Sequence, residues 1–191
     1  MPVYKLERLV VEVHPEFLSK NEATALYEKL ENTAPWKTKN RRTTLTYGNA
    51  GVSYSYKFRN QEIHRTATPW EEEEKIYSIK ERIRKITNND YNYVVVQRYP
   101  NGKFGINPHK DREMKRGTDI CGISLGHEER LLMLTPPPFN KIDRSPLYIP
   151  LPPGSLYILK PPTNDYWMHS IVKDDTIEPR ISLTYRFTDV K

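Results

Sequence analysis

The chain has 191 residues, of which 37% are hydrophobic and 16 are prolines, and its net charge at pH 7 is +6. This length suits one domain, 1–191, with a substantial core, and the low apolar content with many prolines favours short strands joined by loops. One cysteine, Cys121, excludes an internal disulfide framework, and no apolar run has the length of a signal peptide or a membrane span. We therefore expect a soluble, intracellular monomer, either nuclear or cytoplasmic.

Two helices are predicted in the first half of the chain. Ser19 to Glu22 has the sequence of a capping box, and apolar residues follow it at helical spacing, which predicts a helix over 20–32. Thr68-Pro69 is expected to open a second helix, with the acidic run 71–74 near the positive end of its dipole. Its buried stripe would be Ile76, Ile79, Ile83 and Ile86. The four glutamates are interpreted as a solvated helix start rather than a metal site.

The segment between these helices is basic and aromatic. Residues 43–58 predict two strands around a hairpin-like turn at Gly48–Gly51. No acidic residue occurs from Asn32 to Gln61, where cations and rings alternate: Trp36, Lys37, Lys39, Arg41, Arg42, Tyr47, Tyr54, Tyr56, Lys57, Phe58 and Arg59. Cations that follow phosphates and rings that stack on bases are typical of nucleic-acid binding. A solvated face with aromatic core anchors explains the same composition.

Short strands dominate the chain after residue 90. Residues 91–99 are β-branched and aromatic, and further strands are expected near 121–125, 131–134, 148–149 and 156–159, with proline-rich breaks between them. In the last strand Ile181, Leu183, Tyr185 and Phe187 share one face, and Arg180, Ser182, Thr184 and Arg186 share the other. Helices followed by short antiparallel strands predict an α+β domain with a jelly-roll double sheet.

A candidate metal site consists of His109, Asp111 and His169. Two imidazoles and one carboxylate are the ligand set of a non-haem Fe(II) site with open positions. On a strand, His109 and Asp111 would leave the same face, and the fold must bring His169 back to them. Arg180 and Arg186 would stand roughly 20 Å apart on one face, where they could close on the two ends of a short dicarboxylate such as 2-oxoglutarate. Chance histidines and structural ion pairs remain the alternative at this point.

The surrounding motifs resemble the AlkB-type Fe(II)/2-oxoglutarate dioxygenases, especially the branch that repairs alkylated DNA. The likeness extends from about 36 to 187, and its final element is the R-x5-R from Arg180 to Arg186 after H-x-D…H. The other segments are Leu45–Gly51, Tyr54–Tyr56, Gln97–Tyr99, Ile106–Glu113 and Pro162–Ser170. The resemblance implies a double-stranded β-helix core over about 91–188, N-terminal helices and a nucleotide-recognition lid over about 34–60.

The resemblance also implies a role for each matched residue. His109, Asp111 and His169 would bind Fe(II) and form the catalytic centre, with 2-oxoglutarate and O₂ as cosubstrates. Arg180 would pair with the far carboxylate of 2-oxoglutarate and Arg186 would lie near its chelating end, beside Gln97, Tyr99 and Ser182. Tyr56 would stack on the damaged base, and Glu113 would accept from its exocyclic amine. Tyr54, Arg42 and Trp36 complete the candidate substrate-binding set.

Some positions differ from the family pattern. Gln97 and Ser182 stand where asparagine is frequent. Members specialised for duplex DNA insert an aromatic wedge, for which only the displaced Trp36 is available here, and they hold the second strand with a basic loop. The loop at that place is Lys173-Asp174-Asp175, which would repel a phosphate backbone. Single-stranded substrates are therefore expected to be at least as good as duplex.

The implied function is oxidative demethylation of bases of the 1-methyladenine and 3-methylcytosine type in DNA, a direct-reversal repair that releases formaldehyde, succinate and CO₂. The nucleic-acid partner can be single-stranded DNA, duplex DNA or RNA, and no membrane partner is expected. RNA demethylation, or hydroxylation of a protein or a small molecule on the same core, is an alternative. A catalytically inactive nucleic-acid-binding relative is another.

Overall fold

The computed structural model describes residues 1–58, 61–128, 130–136 and 145–189 of the chain. Arg59 of the basic and aromatic stretch lies outside the described residues, as do the side chains of Lys57 and Phe58. Among the described residues, no helix is both long enough and apolar enough to cross a membrane.

Two sheets face each other across the core. The larger sheet has eight strands, in the spatial order β1 (Val3–Leu6), β2 (Leu9–His14), β12 (Leu156–Lys160), β9 (Ile120–Gly126), β14 (Arg180–Arg186), β7 (Tyr93–Tyr99), β3 (Thr43–Gly48) and β6 (Thr68–Pro69). The smaller sheet has four, in the order β11 (Leu147–Pro150), β10 (Leu131–Thr135), β13 (Met168–Ile171) and β8 (Ile106–His109). With the helices outside, this is the predicted α+β jelly-roll architecture.

Helices cover the outer face of the larger sheet. Helix α1 (Lys20–Thr33) begins at the predicted capping box, in which the Ser19 hydroxyl accepts from the Glu22 backbone N–H at 3.2 Å. Helix α2 (Glu74–Thr87) lies beside it, and the short α3 (Thr163–Tyr166) precedes β13. The apolar residues of α1 and α2 share one core cluster with Ile181, Leu183 and Tyr185 of β14. This burial confirms the predicted alternation for Ile181, Leu183 and Tyr185, which share the face under the helices, whereas Phe187 lies beyond the end of β14.

The predicted hairpin between residues 43 and 58 is wrong. Strands β3 and β4 (Ser53–Phe58) do not pair with each other, because β3 joins the larger sheet beside β7 while β4 pairs with β5 (Gln61–Thr66). Val52 and Tyr54 pack with Ala67 against Tyr93 and Val95 of β7. This apolar contact draws the β4–β5 pair over the face of the larger sheet.

The second helix starts later than predicted. Thr68-Pro69 forms a parallel bridge with β3, a 3₁₀ turn covers Trp70–Glu72, and α2 begins at Glu74. The indole N–H of Trp70 donates to the Asn49 side chain at 2.6 Å, and this anchor keeps the preceding residues extended. Glu73 is buried and paired with Lys29, so only its three neighbours are solvated. Ile86 is exposed, because it lies in the last turn of α2, which ends at Thr87 before the left-handed Asn88.

The close packing of β9 on β12 generates a stability prediction. Gly122 is paired with Tyr157, and a Cβ on Gly122 would overlap the Tyr157 ring, which is buried. Gly122→Ala should therefore lower the free energy of unfolding by about 1–3 kcal/mol, as overpacking does. Urea denaturation measures this loss. In a Tyr157→Ala background the loss should shrink, and an equal loss in both backgrounds would contradict the proposed overlap.

Candidate active site

The fold brings His109, Asp111 and His169 together. His109 ends β8 and is the register partner of His169 on β13, and their ring centroids are 4.3 Å apart. The Nε2 atoms of His109 and His169 lie 3.4 and 3.7 Å from the Asp111 carboxylate oxygens. One ligand atom from each residue falls within 4.8 Å of the others, which is the spacing of groups that can share one metal ion. Asp111 and His169 are buried, whereas His109 is half-buried.

Asp111 reaches the site from a loop, not from a strand as predicted. Strand β8 ends at His109, so the two side chains do not share a strand face. Instead of a neighbouring strand, the side chain of Asn164 from α3 forms the hydrogen bonds to the Asp111 backbone. Its oxygen accepts the Asp111 backbone N–H at 3.0 Å, and its amide donates to the Asp111 carbonyl at 2.8 Å. Asn164 therefore fixes the backbone that carries the carboxylate.

The protonation states of the cluster suit metal binding. Burial lowers the pKa of His169 to about 3, so its imidazole is neutral at pH 7 and has a free lone pair. Burial alone would raise the pKa of Asp111, but the positive charge of the Arg186 guanidinium outweighs it and is the main cause that holds the pKa well below its usual range. The Arg186 Nε–H donates to the carboxylate at 2.5 Å. The Nδ1 atom of His109 lies 2.8 Å from the Asn107 carbonyl oxygen. When Nδ1 carries the ring proton and donates it to this oxygen, Nε2 has the free lone pair and is the ligand atom.

Behind the triad lies a narrow cavity between the two sheets. It is lined by His109 and His169 at one side and by Arg180, Ser182, Thr184 and Arg186 of β14 at the other. Arg180 is 1% exposed, and its Nε–H donates to the Ser124 hydroxyl at 3.0 Å. Both terminal nitrogens of Arg180 and one of Arg186 are buried and have no hydrogen-bond partner among the residues that the structure describes. Buried guanidinium donors without partners are costly, and an anionic ligand in the cavity would satisfy them.

The other predicted cosubstrate residues line the same cavity. Tyr99 is the register partner of Arg180, whose guanidinium carbon lies 5.3 Å from the centre of the Tyr99 ring. Gln97 accepts from the Tyr99 hydroxyl at 3.3 Å, and it is the register partner of Ser182. The polar face of β14 and its neighbour β7 thus present one continuous set of groups that can bind a carboxylate and a keto acid.

A wider opening of about 770 Å³ leads from this cavity to solvent. Arg42, Tyr54, Tyr56 and Glu113 line it, together with His109, Asp111 and Arg186. Tyr56 is 36% exposed and its ring centroid lies 6.2 Å from that of Tyr54, which is buried and bonded to the Thr46 hydroxyl at 3.2 Å. Arg42 donates to Gln97 at 3.1 Å and so joins the opening to the inner cavity.

Glu113 is one of three acidic residues that line this opening, beside Asp111 of the triad and the exposed Glu62. Burial is the main cause that raises the pKa of Glu113, and the nearby Asp111 carboxylate raises it further. A cationic group placed in the opening would stabilise the ionised form of Glu113. This environment suits a positively charged heterocycle.

The structure does not bring Trp36 to the opening. Its indole N–H donates to the Leu30 carbonyl at 2.8 Å, and its ring packs against the core cluster beneath α1. The prediction that Trp36 contacts substrate has no support from this position, because the side chain is committed to the end of the helix.

The acidic loop is only partly free. Asp174 forms an ion pair with the buried Arg130 at 3.0 Å, and its backbone N–H donates to the Gly102 carbonyl. Asp175 is exposed. The expected repulsion of a second strand by both carboxylates is therefore reduced to the contribution of Asp175.

Sequence reasoning missed three residues that shape the site. Asn164 lies within the matched segment 162–170, but its hydrogen bond to the Asp111 backbone is visible only in the tertiary structure. Ser124 orients Arg180 from the neighbouring strand, and Tyr157 fills the cavity wall. Strand pairing decides both contacts, so no spacing in the sequence could have indicated them.

The comparisons agree with this site. A family model described as the 2OG-Fe(II) oxygenase superfamily matches residues 10–186. The chain therefore belongs to this superfamily, whose members are oxygenases that use Fe(II), 2-oxoglutarate and O₂, and the curated relatives it resembles are AlkB homologues. The triad supplies the iron-binding ligand set and the unpaired arginines supply the donors for the keto acid, so the residues fit both groups.

Curated relatives are similar over most of the chain. DNA oxidative demethylase ALKBH2 of Mus musculus is 30% identical over 76% of this chain and 61% of its own length, and the Homo sapiens protein is 30% identical over 76% and 56%. Alpha-ketoglutarate-dependent dioxygenase alkB homolog 3 of Mus musculus is 26% identical over 91% and 64%. The chain thus spans roughly three fifths of the length of these relatives.

Solved structures share the fold at low sequence identity. "The structure of OsALKBH1" has a TM-score of 0.58 at 10% identity, covering 92% of this chain and 97% of that one. A Pseudomonas putida prolyl-4-hydroxylase also has a TM-score of 0.58, at 12% identity, covering 94% and 93%. These two likenesses concern the fold alone.

We expect Asn164→Ala to weaken metal binding about 10–100-fold, the usual effect of losing a group that orients a ligand. The change frees the Asp111 backbone and leaves all three ligands in place. Titration with Mn(II) or anaerobic Fe(II) measures it. Asn101→Ala is the matched control, because Asn101 also accepts a backbone N–H, from Lys103, but lies outside the triad. Equal metal affinity in the two variants would contradict the role of Asn164.

We expect Arg180→Lys to weaken 2-oxoglutarate binding by about 1–3 kcal/mol, because lysine keeps the charge and loses the planar fork. Binding is measured by titration of the Mn(II)-loaded protein. Arg98→Lys is the control: Arg98 is a buried arginine on β7 that pairs with Glu31 at 2.6 Å on the other face of the sheet. Unchanged affinity in Arg180→Lys would return Arg180 to a purely structural role.

Proposed function

We propose that this protein removes methyl groups from ring nitrogens of nucleic-acid bases by Fe(II)- and 2-oxoglutarate-dependent oxidation, with products formaldehyde, succinate and CO₂. The preferred lesions are cationic bases that carry an exocyclic amine, such as 1-methyladenine and 3-methylcytosine. The proposal takes 1–191 as one catalytic domain and keeps the lid of about 34–60 except for β3, which belongs to the larger sheet.

One observation carries this proposal: the triad has two different cavities on its two sides. The inner cavity offers unpaired arginine donors, and the outer opening offers an exposed tyrosine ring and a half-buried carboxylate. The first combination suits a dicarboxylate, and the second suits a flat cation. A substrate atom in the opening and a cosubstrate in the inner cavity would meet at His109, Asp111 and Arg186, which face the opening.

Bound iron would supply the oxidation of the methyl C–H bond, coupled to decarboxylation of 2-oxoglutarate. The remaining work belongs to this chain's own side chains. His109, Asp111 and His169 would hold the metal, and Arg186 would keep Asp111 ionised and aimed at it. Arg180 would bind the far carboxylate of 2-oxoglutarate, while Gln97, Tyr99 and Ser182 orient the cosubstrate and exclude water.

The target atom must leave the base stack to reach the opening. A methylated ring nitrogen is inaccessible inside a duplex, so the base has to be flipped out or already single-stranded. Tyr56 would stack on the extruded base, with Tyr54 as a fixed support beside it. Glu113 would accept a hydrogen bond from the exocyclic amine, and Arg42 would line the entry.

The decisive test is formaldehyde release from methylated single-stranded DNA, duplex DNA and RNA of one sequence, measured side by side at equal salt because phosphate contacts are salt-dependent. His169→Ala should abolish release while the protein stays folded. We expect single-stranded DNA to be at least as good as duplex, since the ring of Trp36 is packed on the core. Absence of formaldehyde from every nucleic acid, with succinate formed on peptides or small molecules, would overturn the proposal.

We expect Glu113→Ala to lower turnover of 1-methyladenine and 3-methylcytosine by at least tenfold, while substrate-free conversion of 2-oxoglutarate to succinate continues. The substitution removes the proposed acceptor and one of the negative charges that line the opening, and it leaves the ligands intact. Parallel assays of formaldehyde and succinate separate the two effects. Glu128→Ala, at an exposed position distant from the opening, is the control. Loss of both products in Glu113→Ala would mean that Glu113 supports the metal site instead.

A further inference from the structure

A third cavity lies on the other side of the loop that carries Asp111. It measures about 360 Å³ and is bounded by residues 110–112 and 114–118 on one side and by the start of α3 on the other. We call it the basic cradle. Lys110, Asp111 and Arg112 border both the cradle and the opening above the triad. The two cavities are therefore neighbours, separated by one short piece of backbone.

Four cations surround the cradle: Lys110, Arg112, Lys115 and Arg116. Two carboxylates oppose them, since Arg116 pairs with Asp165 at 3.3 Å and Lys115 with Asp189 at 3.2 Å. Asp111 adds no free charge to the cradle, because it is buried against Arg186 and the histidines. Four positive charges against two negative ones leave the cradle with an excess of two.

Two of the cations have no carboxylate partner within the described part of the chain. The Lys110 ammonium donates to the backbone carbonyl of Asp165 at 2.6 Å, so its charge is not neutralised. Arg112 is exposed and has no ion pair or hydrogen bond to any residue that the structure describes. The Arg116 side chain is 87% exposed, and an ion pair at that exposure is weak enough to exchange its partner for a stronger anion.

The cradle is nevertheless held in shape. Asn164 fixes its wall at Asp111, the Lys115 backbone N–H donates to the Phe187 carbonyl at 2.8 Å, and the Thr118 hydroxyl donates to the Lys115 carbonyl at 2.7 Å. Met114, in the middle of the loop, is buried. These contacts tie the loop to α3 and to the end of β14, so the cations project from an anchored surface.

We propose that the basic cradle binds a backbone phosphate of the same strand whose modified base enters the opening. The proposal rests on the proposed function, because it takes the opening as the place of the base. Arginine forks match the geometry of phosphate oxygens, and Arg112 stands on the ridge between the two cavities. A strand that places one base in the opening must carry its next phosphates across a neighbouring surface. Phosphate contacts of this kind position the strand and read no sequence.

The test measures binding of a lesion-free single-stranded 12-mer DNA by fluorescence anisotropy over a series of salt concentrations. The variant is Lys115→Glu with Arg116→Glu. Its control is Lys75→Glu with Lys85→Glu, the same charge change at exposed positions of α2. We expect the affinity of the cradle variant to fall at least tenfold and the slope of log K against log salt to lessen by about 1 for each lost phosphate contact, with a smaller loss in the control.

Three further measurements distinguish loss of the cradle from misfolding of the variant. Asp165→Asn removes a carboxylate from the cradle and should strengthen binding of the 12-mer, a gain that a misfolded variant could not give. With a methylated base in a 12-mer, the cradle variant should raise KM and leave kcat nearly unchanged. On a methylated mononucleoside, which has no phosphate to reach the cradle, the variant and the control should be equally active.

The proposal that the cradle binds phosphate would be refuted if the cradle variant binds the 12-mer with the affinity and salt slope of the control. It would also be refuted if inorganic phosphate binds the wild type while the double substitution leaves DNA binding intact, since the cradle would then take free anions only. Failure of the proposed function looks different: the wild-type protein would neither bind the 12-mer nor release formaldehyde from any methylated nucleic acid.

Discussion

The Asp111 carboxylate is a charge buried almost completely between two sheets, and the surrounding structure compensates for its loss of water. Arg186 supplies the opposite charge through a direct hydrogen bond, and two histidines place their Nε2 atoms against the same group. Removing one partner of such a buried pair typically costs about 3–5 kcal/mol, because the other charge is left without compensation. The same arrangement keeps the carboxylate ionised and leaves the imidazoles free to bind a metal. Stability and metal binding thus depend on one cluster.

Strand β14 connects this cluster to the rest of the molecule. One face of the strand carries Ile181, Leu183 and Tyr185 into the core beneath the helices. The other face carries Arg180 and Arg186 to the two ends of the inner cavity. Because the strand lies between β9 and β7, its backbone is hydrogen-bonded on both sides. The distance between the two guanidinium groups is therefore set by a rigid element, as a site for a small dicarboxylate requires.

The opening is built on a less regular part of the fold. The β4–β5 pair touches the larger sheet through Val52, Tyr54 and Ala67, and it is not part of either facing sheet. Arg42 and Tyr99 both bond to Gln97, which joins the opening to the cavity behind the triad. Within the proposed function, Gln97 would therefore connect a residue that binds the cosubstrate, Tyr99, with a residue at the substrate entry, Arg42. The basic cradle extends that surface in the direction of the strand backbone.

The sequence by itself determined the elements whose cause is local. The capping box fixed the start of α1, and period-two alternation fixed the two faces of β14, because both depend on neighbouring residues alone. The motif around His109, Asp111 and His169 indicated the metal site because the ligand chemistry resides in residue type. Only the tertiary structure decided that β3 and β4 join different sheets, that Asp111 is held by Asn164 from the distant helix α3, and that Trp36 is packed on α1. Those outcomes depend on which surfaces, distant in sequence, bury apolar area together. The spacing of neighbouring residues does not determine which surfaces these are.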